Sequence, residues 1–250
     1  MDSQIIMRKS FSLKSTIFWV LGIDSLMIAT AVGRAILLER NPMRYFDEGG
    51  YITWLSVIQL LFIAYLCWKI SLLRVNKGSS LQNKKQPHRL WQIMTGGFIF
   101  LAADEHFGIH ENLDVAFHRL FSLSEDGLTG RIDDFIILFY AVFGIWFLNK
   151  FKSEFKNFAA SSRWFITGFI LCFLTILLDM LSHKREVLSL FMTDPEKINF
   201  LHNWFKTLEE IPKIFAEGAF IIAFSYCLII ATRLAWEHQK TDTPTVNLMR

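Results

Sequence analysis

Six long apolar runs, at about 15–37, 51–73, 90–111, 132–149, 164–183 and 211–232, constrain this chain more than any other feature of its sequence. Each is close to the length an α-helix needs to cross a hydrocarbon core of about 30 Å, and the connections between them are short. Inside hydrocarbon every backbone N–H and C=O must be satisfied within the protein, which a helix does by itself. The expected fold is therefore all-α, an integral membrane bundle of six transmembrane helices forming one domain over residues 1–250. Composition agrees: 52% of the residues are hydrophobic, 20% are charged and 25 are Phe. A nucleic-acid partner is not expected, because the net charge is only +3 and no basic stretch is interleaved with aromatics. Membrane lipids are the expected surroundings.

Orientation follows from the charges between the runs. The N-terminus, 69–89, 150–163 and 233–250 carry 16 Lys/Arg against 4 acids, whereas 34–50, 104–134 and 179–217 carry 10 Lys/Arg against 18 acids. The positive-inside rule then puts both termini in the cytoplasm and the acidic face on the outer side of the membrane. Residues 199–205, with Phe200, Trp204 and Phe205 on the apolar side, read as a short interfacial helix before the last span.

The acids inside the runs fall at a common depth. Asp104 is 15 residues from Arg89, and Asp134, Asp179 and Glu217 are each 16 from Lys150, Arg163 and Arg233. At 1.5 Å per residue, all four lie about 22–24 Å from the basic boundary. A second tier follows with His110, Glu111, His183, Glu210 and Glu48. A charge at membrane depth costs at least about 2.5–3.5 kcal/mol, so such groups pair, face a cavity or bind something. Protons, basic side chains or a metal must supply the positive charge.

The third run holds the densest group, Asp104-Glu105-His106-Phe107-Gly108-Ile109-His110-Glu111. On one continuous helix Asp104 and Glu111 would lie about 20° apart. Asp179 and His183 share a face at i, i+4, a spacing at which two side chains grip one ion. Imidazole mixed with carboxylate suits Zn or Fe, so Asp104, His110, Asp179 and His183 are the expected metal ligands, with Glu111 or Glu217 as general base. Other acids have plainer explanations. Asp133 and Asp134 suit a helix start, Glu217 could pair with Lys213 in an i, i+4 ladder, Asp24 could hydrogen-bond Gln59, and Glu105, His118 and His202 read as interfacial.

Three blocks, Phe46-Asp47-Glu48-Gly49-Gly50-Tyr51-Ile52-Thr53-Trp54-Leu55-Ser56, Phe100-Leu101-Ala102-Ala103-Asp104-Glu105 with Ile109-His110-Glu111, and Leu208-Glu209-Glu210, resemble an uncharacterised family of bacterial multi-pass membrane proteins. The sequence departs from that pattern at Ala102-Ala103, where Ser is usual, and at Pro212, where Leu or Met is usual. The resemblance implies a fold but no activity. A looser chemical similarity is to membrane hydrolases of the alkaline ceramidase type, although His106-x-x-x-His110 sits on an early helix and no Ser-x-x-x-His is present.

Two functions are expected from these features. The first is a metal-dependent hydrolase of a lipid-like substrate with a Zn or Fe centre in the outer half of the bundle. The second is non-catalytic, a proton or cation transporter or an accessory subunit of a larger membrane complex. Di-iron chemistry fits less well, because the paired Glu-x-x-His motifs of carboxylate bundles are missing.

Overall fold

The computed structural model of the chain describes residues 13–47, 49–75, 87–121, 139, 142–144, 146–147, 149–182 and 193–241, with the backbone alone described at 111, 179–182 and 238–241. Among these residues the protein is all-helical, with no strand. Helix α1 spans Leu13–Leu37, α2 Tyr51–Val75, α3 Pro87–Phe107, α4 Ile109–Phe121, the short α5 Lys152–Phe155, α6 Ser162–Ser182 and α7 Pro195–Thr241. Short 3₁₀ segments at Pro42–Tyr45 and Lys156–Ser161 complete the order.

Four described helical stretches are long and apolar enough to cross a membrane: Leu13–Leu37, Tyr51–Val75, Lys152–Leu178 and Pro195–Glu237. They correspond to the first, second, fifth and sixth expected runs. Most of the fourth, 132–149, lies outside the described residues. The third run divides, because α3 ends at Phe107 and Gly108 adopts φ +55 before α4 begins. A positive φ is nearly free of cost only for glycine and ends a right-handed helix. Asp104 and Glu111 therefore lie on different helices, and the wheel angle drawn for a single helix does not apply. The last run extends in the other direction: residues 199–205 and 211–232 belong to one helix of 47 residues, which continues through Pro212.

The described residues between α1 and α2 account physically for much of the Phe46 to Ser56 block. Arg40 N bonds Ala35 O at 3.0 Å and Glu39 N bonds Ile36 O at 3.3 Å, with Glu39 at φ +50, the bonding of a Schellman end. Asn41 Oδ1 then accepts from Met43 N at 3.0 Å. The Thr53 hydroxyl donates to Phe46 O at 2.8 Å and Asp47 O at 2.9 Å, tying the loop to α2. Gly49 has φ +80, and a Cβ on Gly50 would run into the Tyr45 carbonyl. These residues form a turn that seats α2.

Helix α7 is the hub, packing on α1, α2 and α6, while α3 packs along α2. The core centres on aromatic edges: Trp91 meets Phe158 at 5.1 Å between centroids, and Phe224 meets Phe165 at 5.0 Å and Phe98 at 5.4 Å. Large apolar side chains also cover the outside. Phe18, Trp19, Phe173 and Ile170 are 60–70% exposed, a surface suited to lipid rather than water.

Candidate functional site

Polar residues inside this apolar core collect in two places. At one, near the C-terminal end of α2, Arg74 and Glu154 form a buried two-pronged ion pair, with Nε to Oε1 and Nη2 to Oε2 both 2.7 Å. Trp91 Nε1 donates to Glu154 Oε1 at 3.3 Å, Asn157 Nδ2 donates to Oε2 at 3.2 Å, and the Arg74 guanidinium lies 5.9 Å from the Phe158 ring centre. Four chain segments are tied at one carboxylate. The arrangement is a structural clamp, because every polar atom of Glu154 is directed at the protein.

The other collection, toward the N-terminal half of α2, is the candidate site. Ser56 and Gln59 lie three residues apart and so on one face of α2. Ser56 Oγ donates to Glu217 Oε1 on α7 at 2.7 Å, and Gln59 Nε2 donates to Asp24 Oδ1 on α1 at 2.6 Å. All four side chains are buried, Asp24 and Ser56 with no exposed surface. One turn before Glu217, Lys213 Nζ donates to Glu105 of α3 at 3.0 and 3.3 Å and pairs with Glu210 at 2.5 Å. Glu105, Lys213 and Glu210 are the charged groups that act on Glu217. Three carboxyl groups, those of Glu105, Glu210 and Glu217, thus share the neighbourhood of the Lys213 ammonium.

Beside this cluster Asp104 closes the break between α3 and α4. Its Oδ1 accepts from His110 N at 2.8 Å and its Oδ2 lies 3.1 Å from His110 Nδ1. The carboxylate thereby caps the new helix while orienting the imidazole. The ring of His106 lies 4.7 Å from that of Trp54, tilted by 51°, and His118 lies 3.0 Å from the Asp114 carboxylate within α4.

Of the residues expected to hold a metal, Asp104 and His110 come together. Asp179 lies on α6 and Glu111 on α4, both with side chains outside the description, and His183 is outside the described residues. Among the described residues no three His, Cys, Asp or Glu side chains converge to hold a metal ion. Both Asp104 oxygens are directed at His110. Asp24 and Gln59 form the hydrogen bond expected of them. Glu217 is held by Ser56, while Lys213, which its spacing equally allowed to pair with Glu217, makes its hydrogen bonds to Glu105 and Glu210.

Sequence reasoning missed Ser56, the bridging role of Lys213, and the Arg74 clamp. The first two left a trace. Ser56-x-x-Gln59 is a polar stripe in an otherwise apolar run, and Glu210-x-x-Lys213-x-x-x-Glu217 places three charges on one side of α7. Arg74 and Glu154 are 80 residues apart and left none.

Lys213 supplies the positive charge that the acidic half needs, and its replacement has a defined consequence. Lys213→Met should lower the melting temperature of the purified protein, with a cost of about 1–3 kcal/mol, the penalty for leaving charged, partly buried groups unpaired. Lys213→Arg, which keeps a cation beside Glu105 and Glu210, should lose less. A Lys213→Met protein as stable as the parent would contradict this role.

No curated protein and no solved structure matches the chain. Residues 15–228 match a family described as a domain of unknown function, which covers most of the sequence and agrees with its resemblance to an uncharacterised family. The chain therefore belongs to the family of the domain of unknown function DUF8692.

Proposed function

We propose that this protein is a multi-pass membrane protein that binds and moves protons or small cations through the acidic half of its bundle. It would cross a bacterial cell membrane six times as one domain, with both termini in the cytoplasm and the acidic half toward the outside, as the distribution of Lys and Arg supports. The observation that carries the reading is the environment of Glu217 and Asp24. Both carboxyl groups are buried, each is held through one oxygen by a neutral group, and the other oxygen has no hydrogen-bond partner among the described residues. An ionised carboxylate in that position is expensive, so the resting site holds a proton or a cation on each.

The chemistry supports exchange more than hydrolysis. Among the described residues the imidazole beside the cluster, His110, is engaged with Asp104 at the helix break. The acidic half instead offers hydrogen-bonding groups in succession along α7: Glu210, Lys213 and Glu217, with Ser56 and Glu105 facing them from two other helices. Reconstitution in proteoliposomes tests this directly. Imposed ion gradients should drive a flux that Glu217→Gln removes.

A further inference from the structure

Three buried oxygen atoms of the acidic half have no hydrogen-bond donor among the described residues: Asp24 Oδ2, Gln59 Oε1 and Glu217 Oε2. Their side chains are 0%, 5% and 6% exposed and come from α1, α2 and α7. All three atoms are acceptors. Ser56 and Gln59 hold the two carboxyl groups on consecutive turns of the same α2 face. Gly218, the neighbour of Glu217, lets α1 approach α7: a Cβ there would collide with Asp24 Oδ2 and come within 3.0 Å of Val20 Cγ1. The Asp24 carboxyl therefore rests on the α7 backbone beside Glu217. Lys213 offers no relief, since its ammonium already serves Glu105 and Glu210.

Buried acceptors without donors are costly, and in hydrocarbon there is no bulk water to serve them. A cation satisfies several acceptors together. Protons would neutralise the two carboxyl groups, whereas one cation can be coordinated by both of them and by the neutral amide oxygen of Gln59 together. Oxygen-only ligands select a hard cation. Calcium seeks six to eight oxygens and magnesium keeps several waters, more than Asp24, Gln59, Glu217 and Ser56 can supply from a dry core.

We propose that Asp24, Gln59, Glu217 and Ser56 form a dehydrated binding site for a monovalent metal cation, with Na+ as its natural probe. Resting on the ion-handling function proposed above, this narrows the ion and assigns its ligands. Gly218 sets the site's width by keeping a methyl group off Asp24.

Titrating NaCl against choline chloride at constant ionic strength, with purified protein in detergent, tests the assignment. The melting temperature should rise saturably with Na+ alone. Gln59→Leu and Gly218→Ala should each weaken the apparent Na+ affinity roughly tenfold or more, the size of loss produced by removing even an outer partner of a metal site. If either variant does not fold, the wild-type titration and the other variant decide. A wild-type protein indifferent to Na+, or one whose response survives both substitutions, overturns the site. Proton flux through Glu217 without any Na+ response would overturn this site and leave the proposed function standing. Saturable Na+ binding without flux would do the reverse.

Discussion

Glu154→Ala should destabilise the protein by about 3–5 kcal/mol, the cost of removing one partner of a buried ion pair. The reason is what remains behind. Arg74 is 5% exposed, its Nη1 already has no acceptor among the described residues, and the substitution would leave Nε and Nη2 without their acceptors as well. Trp91 Nε1 and Asn157 Nδ2 would also lose their hydrogen bonds. The same carboxylate joins α2, α3 and α5 to the 3₁₀ segment that leads into α6, so the damage should spread to the aromatic core around Phe158. Unfolding by SDS titration in mixed micelles gives the free energy. Glu154→Gln, which keeps an acceptor, should lose less, and the double variant Arg74→Met with Glu154→Leu should recover most of the loss because no buried charge is left. An alanine variant as stable as the parent would show that the clamp contributes nothing.

Much of the fold could be read from the residues, and the places where reading stopped have physical causes. Apolar length located α1, α2, α6 and the membrane-crossing part of α7, because backbone satisfaction in hydrocarbon leaves a helix as the only open form for such a run. Hydropathy does not register a single left-handed residue, so the break at Gly108 was invisible in a stretch, Asp104 to Glu111, that read as one continuous helix. The continuity of α7 was hidden for the opposite reason. Pro212 reads as a helix end in sequence, yet the packing of α7 on α1, α2 and α6 holds the helix through it.

The acidic half was legible as a depth and not as a set of contacts. Counting residues put Asp104 and Glu217 at one level. It could not show that Asp104 turns to His110 while Glu217 turns to Ser56, since partner choice depends on which faces of α2, α3 and α7 meet. Local pairs were legible where spacing or isolation singled them out. Asp24 stands alone at mid-span of α1 and Gln59 is the mid-span amide of α2, so each was the other's natural partner, and they are joined by a 2.6 Å bond. Lys213 had three carboxyl groups at helical spacing, Glu209, Glu210 and Glu217, and the approach of Glu105 from α3 joined it to the Glu210 side.

The second large effect concerns the ion path, where Glu217 takes the central place. It lies on the α7 stripe after Glu210 and Lys213, is 6% exposed, and has one oxygen bonded to Ser56 and the other without a donor among the described residues. Gln in its place keeps the size and can still accept from Ser56, but it can neither take up and release a proton nor offer a charged oxygen to a cation. The fold should therefore persist while exchange stops. Ser56→Ala should leave a weaker flux, because the carboxyl group remains and only its positioning is lost.

The most direct measurement is ion flux in proteoliposomes, with pH-sensitive and Na+-sensitive dyes trapped inside and opposite gradients imposed across the bilayer. The wild-type protein should carry a flux of protons or Na+ well above that of empty vesicles, and folded Glu217→Gln should fall to the empty-vesicle level. Wild-type vesicles as tight as empty ones, or a Glu217→Gln protein that conducts as the parent does, would contradict the account.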